Sequence, residues 1–145
     1  MNLCEVKISY EPLYKVSELP KISSSNNAVE YMRKFWEDIQ HVEKAYIILL
    51  SRANRILGYK LISQGGLSGT VIDPKIVFQA ALKANASAII LAHNHPSGNL
   101  KASKADEQIT KKIKQGSKIL DLVFFDHIII TKDNYFSFAD ENLLI

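Results

Sequence analysis

The sequence is nearly devoid of cysteine. Cys4 stands alone, so no disulfide can close within the chain, and a reducing cytoplasm is the expected setting. Long apolar runs are also missing. The two longest, "AYIILL" at 45–50 and "AIILA" at 88–92, fall far short of the ~20 residues that span a bilayer and read instead as buried strands. No stretch near Met1 joins a basic segment to an apolar core and a small-residue cleavage site, which argues against an export leader and against a membrane partner. A strong charge bias is lacking too: 18 Lys and Arg against 15 Asp and Glu leave +3, too little to demand a nucleic acid or an anionic surface. There is no repeat and no low-complexity segment. What remains is 145 residues at 47% hydrophobic content, the size and composition of one domain that buries its own core.

Two regions differ in character. Residues 1–40 form an N-terminal extension expected to pack on a main domain at 41–145. In the extension, the alternation of "CEVKISYEPLYKV" suggests an edge strand limited by Pro12 and Pro20. A helix follows, capped at Ser25 or Asn26, with Val29, Met32, Phe35, Trp36 and Ile39 on one stripe. From Glu43 onward "EKAYIILLS", "RAN" and "RILGYKLIS" read as a hairpin, and "QGGLSGT" as a loop. "DPKIVFQAALKANA" is a helix with Asp73 as cap, Pro74 at its first position, and Ile76, Val77, Ala80, Ala81 and Ala84 inward. The strand "SAIILAHN" leads through the turn "HPSGN" into a helix from about Ser103, with Ile109, Ile113 and Leu120 facing the core. "LVFFDHIIIT" and "NYFSF" complete the set as strands. The alternation predicts an α/β or α+β arrangement of helices around one sheet.

The chemistry concentrates in "AHNHPSGNLKASKAD", residues 92–106. Residues two apart on a strand share a face, so His93 and His95 project to one side and Asn94 to the other. Pro96 and the turn residues after it force the chain out of the sheet. Asp106 falls in the first turn of the next helix, where the helix dipole favours a carboxylate. Two imidazoles and one carboxylate are three ligands for Zn²⁺, with a fourth position left for water as in catalytic zinc sites. A plainer account exists: Ser103 and Asp106 at Ser-x-x-Asp spacing are a close relative of the capping box and need do no more than end a helix.

The full constellation resembles the JAMM (MPN-plus) metalloprotease motif, which has a glutamate upstream of His-x-His, then seven residues and Ser-x-x-Asp. "ILAHNHPSGNLKASKADEQITKKI", "FFDHIIIT" and "YFSFADE" together are similar to the RadC family, whose members carry a JAB domain; the likeness runs from about Glu43 to the C-terminus. The resemblance implies a JAB/MPN fold of cytidine-deaminase-like architecture, a mixed curved sheet flanked by helices. It implies zinc on His93, His95 and Asp106, Glu43 as catalytic glutamate, and Ser103 as donor to the oxyanion of a peptide or isopeptide substrate. Asn94 stands where deubiquitinating relatives carry serine or threonine, which points away from ubiquitin chains. Longer RadC proteins add a helix-hairpin-helix module, and the extension here holds one clear helix and no Gly-hinged pair.

Other motifs lead nowhere. The letters "HNH" are adjacent here, whereas an HNH nuclease scatters them over a ββα-metal motif. A zinc deaminase needs Pro-Cys-x-x-Cys, and "QGGLSGT" lacks the Gly-Lys-Ser/Thr of a phosphate loop. His41 carries no signal; Asp126 and His127 read as structural or as support for the metal ligands. Six lysines between Lys101 and Lys118 read as the solvated side of a helix. Three function classes stand: a zinc peptidase or isopeptidase, a DNA-repair or mobile-element accessory protein whose partners are DNA or repair proteins, and a non-catalytic binding domain. The aromatic-rich N-terminal helix would suit a homodimer interface as well as the core.

Overall fold

A computed structural model of the chain describes residues 2–7, 9–65 and 71–144. Its centre is a pair of strands, β1 (Lys44–Leu50) and β3 (Ala88–Asn94), whose side chains are buried on both faces along almost their whole length. Strands so buried must be covered twice, and alternate residues decide which cover each face meets. Tyr46, Ile48, Leu50, Ile90 and Ala92 enter one apolar cluster with the helix α1 (Ser25–Phe35). Ala45, Ile47, Leu49, Ile89 and Leu91 enter a second cluster with α2 (Pro74–Lys83) and α3 (Lys104–Ile119). The sheet is completed by β2 (Ile56–Gln64), β4 (Val123–Ile130) and β5 (Tyr135–Ser137), in the order β2-β1-β3-β4-β5. Only β3 and β4 are parallel, with α3 in the crossover between them. This is the mixed sheet flanked by helices that the sequence predicts.

The pairing of β3 with β4 contains one irregularity. Ile89 faces Phe124 but Ile90 faces Asp126, so β4 carries one extra residue there. A one-residue insertion exchanges the faces of everything beyond it. Asp126, Ile128 and Ile130 consequently turn toward α1, and His127 falls opposite Leu91 on the face covered by α2 and α3.

Several expectations need correction. The stretch at 4–16 forms no strand among its described residues: Leu3, Val6, Leu13 and Tyr14 are exposed, and a hydrogen bond from Tyr10 Oη to the Leu57 carbonyl (2.7 Å) is the side-chain bond there. Its alternation has no apolar surface to fill. The chain first joins the sheet at an isolated bridge between Lys21 and Arg55, after a 3₁₀ turn at Val16–Glu18. The cap of α1 is Ser24, whose hydroxyl accepts from Asn27 N–H, and Ser25 instead donates to Asp140 (2.5 Å). Trp36 already lies past the last helical residue, so Ile39 packs from the following link. Leu120 ends α3 at 38% exposure; Ser117 and Leu122 take the inward places. The "QGGLSGT" loop lies for the most part outside the described residues.

Two polar anchors tie α1 and β5 to the sheet. Arg33 donates to the carbonyls of Thr131 and Lys132 (both 2.9 Å) and of Asn134 (3.3 Å), fixing α1 to the β4–β5 turn. Buried Asp126 accepts from Ser137 Oγ (2.5 Å) and Ala139 N–H (3.0 Å). Burial pushes its carboxyl up to about 6, against the lowering effect of those two donors. Between the ordinary value near 3.8 and about 6, the folded state therefore holds a proton that the unfolded state has released. This contribution to stability is complete at the acid end and declines as pH rises through that window. Urea unfolding from pH 4 to 6.5 should show wild type losing on the order of 1–3 kcal/mol relative to Asp126→Asn over that range. A constant difference would mean that Asp126 is ionised throughout.

Candidate metal centre

β3 delivers its last two residues to opposite sides of the sheet. His93 (1% exposed) turns toward the N-terminal end of α3, and Asn94 (0%) turns to the α1 side. His95 N–H still bonds to the Ile130 carbonyl (3.0 Å), after which Pro96 and a turn closed by Gly98 N–H to His95 O (3.0 Å) lead the chain away. Gly98 has φ of +83°, a region where a side chain would be strained. The turn sends Asn99 back beneath His95, whose Nδ1–H donates to the Asn99 carbonyl at 2.6 Å. A carbonyl only accepts, so the lone pair of neutral His95 lies at Nε2.

α3 begins with a complete capping box. Ser103 Oγ accepts from Asp106 N–H (3.0 Å), and Asp106 Oδ2 accepts from Ser103 N–H (2.8 Å). This holds the Asp106 carboxylate in one orientation, 3.2 Å (Oδ1) from His93 Nε2 and 3.4 Å (Oδ2) from His95 Nε2. The two Nε2 atoms are 3.0 Å apart. His93, His95 and Asp106 thus bring ligand atoms within 4.8 Å of one another. Burial opposes ionisation of Asp106, but the imidazoles of His93 and His95 beside it outweigh burial and hold the carboxyl well below the usual range. The Asp106 carboxylate in turn raises His95, favouring its protonated form more strongly than burial opposes it. Atoms converging at such distances can share a proton or surround a metal cation, and two imidazole nitrogens with one carboxylate oxygen form a donor set suited to zinc.

Glu43, the residue before β1, lines a cavity of about 310 Å³ together with His93, Asp106, Ile72, Gln108 and Lys112. Nothing in composition or spacing singled Glu43 out, and its placement has a cause that sequence reasoning missed. Asn94 Nδ2 donates to the carbonyls of Val42 (2.8 Å) and Ile39 (2.7 Å), while Asn94 Oδ1 accepts from Lys44 N–H (2.7 Å). One buried amide therefore grips the backbone on both sides of Glu43. Gly65 N–H adds a bond to the Glu43 carbonyl (2.8 Å). Ser103 lies at the helix cap, outside the lining of that cavity. Its oxygen accepts from Asp106 and its own proton stays available, so capping and hydrogen-bond donation do not compete.

Behind the ligands, His93 Nδ1 lies 2.8 Å from His127 Nε2, and His127 Nδ1 lies 2.6 Å from Thr110 Oγ1. Thr110 went unnoticed in the sequence, although it stands one helical turn after Asp106. Asp126 takes no part here, since it faces α1. His41 is exposed, 3.5 Å from Asp38.

Two imidazoles and a carboxylate meeting where a central strand passes into a helix, with a second carboxylate on the adjoining cavity wall, define a mixed α/β domain with a candidate metal centre. The chain belongs to the RadC-like JAB domain family, whose model matches residues 22–143 and so takes in α1 as well as everything from Glu43. It is similar to a UPF0758 protein of Flavobacterium johnsoniae, 41% identical over 128 residues, covering 88% of this chain and 56% of that one. Another UPF0758 protein, from Chlorobaculum parvum, is 37% identical over 124 residues, covering 86% of this chain and 55% of its own length. The chain spans about half the length of these curated relatives. Among the described residues no helix is long and apolar enough to cross a membrane.

Replacing Asn94 by alanine would strip partners from two carbonyls and one N–H in a buried setting. The expected cost is about 3 kcal/mol, read as a lower urea midpoint with unchanged slope. A loss below about 1 kcal/mol would show that water or relaxation satisfies those groups.

Proposed function

We propose that this JAB domain is a zinc-dependent hydrolase acting on a peptide or isopeptide bond in a protein substrate. The observation that carries the reading is the convergence of His93 Nε2, His95 Nε2 and the Asp106 carboxylate within one coordination sphere, beside a cavity that also holds Glu43. His93, His95 and Asp106 would hold the metal. Zinc bound there would supply a Lewis acid that brings the pKa of water toward ~7 and polarises a carbonyl.

The remaining work falls to side chains of this chain. Glu43, held in register by Asn94, accepts a proton from the attacking water and returns it to the leaving amine. Ser103, its oxygen fixed by Asp106 N–H, donates its hydroxyl proton toward the developing oxyanion. His95 is kept in its Nδ1–H tautomer by the Asn99 carbonyl. Ile72 and the Cβ of Ala105 give the cavity an apolar wall against which a substrate chain can lie. With Asn94 spent on the backbone around Glu43, specificity rests on the cavity rim rather than on the residue between the histidines.

Elemental mass spectrometry of the purified protein should find about one zinc per chain, lost in His95→Ala and Asp106→Ala variants that remain folded. Glu43→Gln should keep the metal and lose at least ~10²-fold in hydrolysis of a pool of quenched peptides and ε-linked isopeptides. Zinc-free wild type after zinc is added back would end the metal reading. Unchanged hydrolysis by Glu43→Gln would end the role of Glu43.

A further inference from the structure

The bonds behind His93 form a series in which each proton position follows from the one before. Thr110 Oγ1 lies 2.7 Å from the Asp106 carbonyl, one turn earlier on α3. That oxygen can only accept, so the Thr110 hydroxyl proton is committed to it. Thr110 Oγ1 must then accept from His127, placing the single ring proton of His127 on Nδ1 (2.6 Å). His127 Nε2 is left with a lone pair and must accept from His93 Nδ1–H (2.8 Å). Neutral His93 therefore presents a lone pair at Nε2, the atom 3.2 Å from Asp106 Oδ1.

In this series His127 carries one proton. The ring is fully buried and stacked at 4.7 Å and 9° on Phe138, with Thr110 and His93 as its hydrogen-bond partners, a setting that disfavours a second, charge-bearing proton. The extra residue in β4 is what brings His127 to this face at all.

We infer that Thr110 and His127 are positioning residues that lock His93 in its Nδ1–H tautomer, with the Asp106 main-chain carbonyl as the origin of the lock and the Asp106 side chain as the neighbouring ligand. The role in metal binding rests on the zinc reading above. The tautomer itself does not. Asp106 is thereby coupled to His93 twice, through its carboxylate in front of the ring and through its carbonyl behind it. If Thr110 loses its oxygen, His127 gains by moving its proton to Nε2 and donating to His93 Nδ1. His93 would then carry its proton on Nε2 and could not ligate a metal there.

The test is ¹⁵N–¹H correlation of the histidine rings in metal-free, labelled protein, with zinc affinity by chelator competition. Wild type should show the Nδ1–H tautomer at both His93 and His127. Thr110→Val, nearly identical in shape, should switch His93 to Nε2–H and weaken zinc about 10- to 100-fold, and Thr110→Ser should restore both readouts. An Nε2–H His93 in wild type overturns the inference without any variant, so it can be decided even if Thr110→Val misfolds. A Thr110→Val protein with unchanged His93 tautomer and unchanged zinc affinity overturns it as well. Wild type that binds no zinc but shows both Nδ1–H tautomers would overturn the metal reading and leave the lock standing.

Discussion

Everything at this site depends on the alternation of one strand. β3 is buried on both faces, so its even and odd residues are committed to different apolar layers from Ala88 to Ala92. The commitment continues into the polar end of the strand: His93 emerges with Leu91 on the α3 side, and Asn94 emerges with Ala92 on the α1 side. One residue joins the candidate metal site and its neighbour holds the backbone on both sides of Glu43. A slip of one residue in β3 would exchange them and place an amide among the ligands. The apolar layers thus set the chemistry at the strand's end, because the burial of Ile89, Ile90 and Leu91 makes such a slip prohibitive.

Asp106 shows how structural and functional roles share one side chain. A carboxylate has two oxygens and several lone pairs, so Oδ2 can close the capping box while Oδ1 faces His93. The cap aims the carboxylate. The α3 N-terminus also favours the negative charge, in the first turn where the dipole acts. Ser-x-x-Asp reads correctly both as a helix start and as a half of the site, and the two readings reinforce each other.

Much of this was legible in the sequence, for physical reasons. The α2 cap at Asp73 with Pro74 after it, the hairpin of β1 and β2, the strand β3 and the start of α3 at Ser103 are local signals, and each appears where local chemistry puts it. The grouping of His93, His95 and Asp106 follows from strand period and helix start alone. What failed was information carried by contacts distant in sequence. The alternation at 4–16 looks like a strand, but pairing needs a partner edge and a buried face, and the described residues there have neither. Thr110 and Asn94 carry no motif; their importance arises because their partners come from 17 and 50 or more residues away. The extra residue that turns His127 inward is equally invisible, since its effect exists only as a register against β3.

The cost of the polar interior makes the same point from the energetic side. His93, Asn94, Thr110 and His127 are each at most 3% exposed, in a region otherwise filled by isoleucine, leucine and phenylalanine. Burying such groups costs free energy unless every donor and acceptor is matched, and even a matched set rarely improves on an apolar core of the same shape. Asn94 is fully matched within the fold. The His127–Thr110 pair is matched only as far as His93, and there the series ends on a lone pair facing a carboxylate. The series thus satisfies each inner member and ends at His93 Nε2, beside His95 Nε2 and the Asp106 carboxylate, at the group that could hold a metal ion.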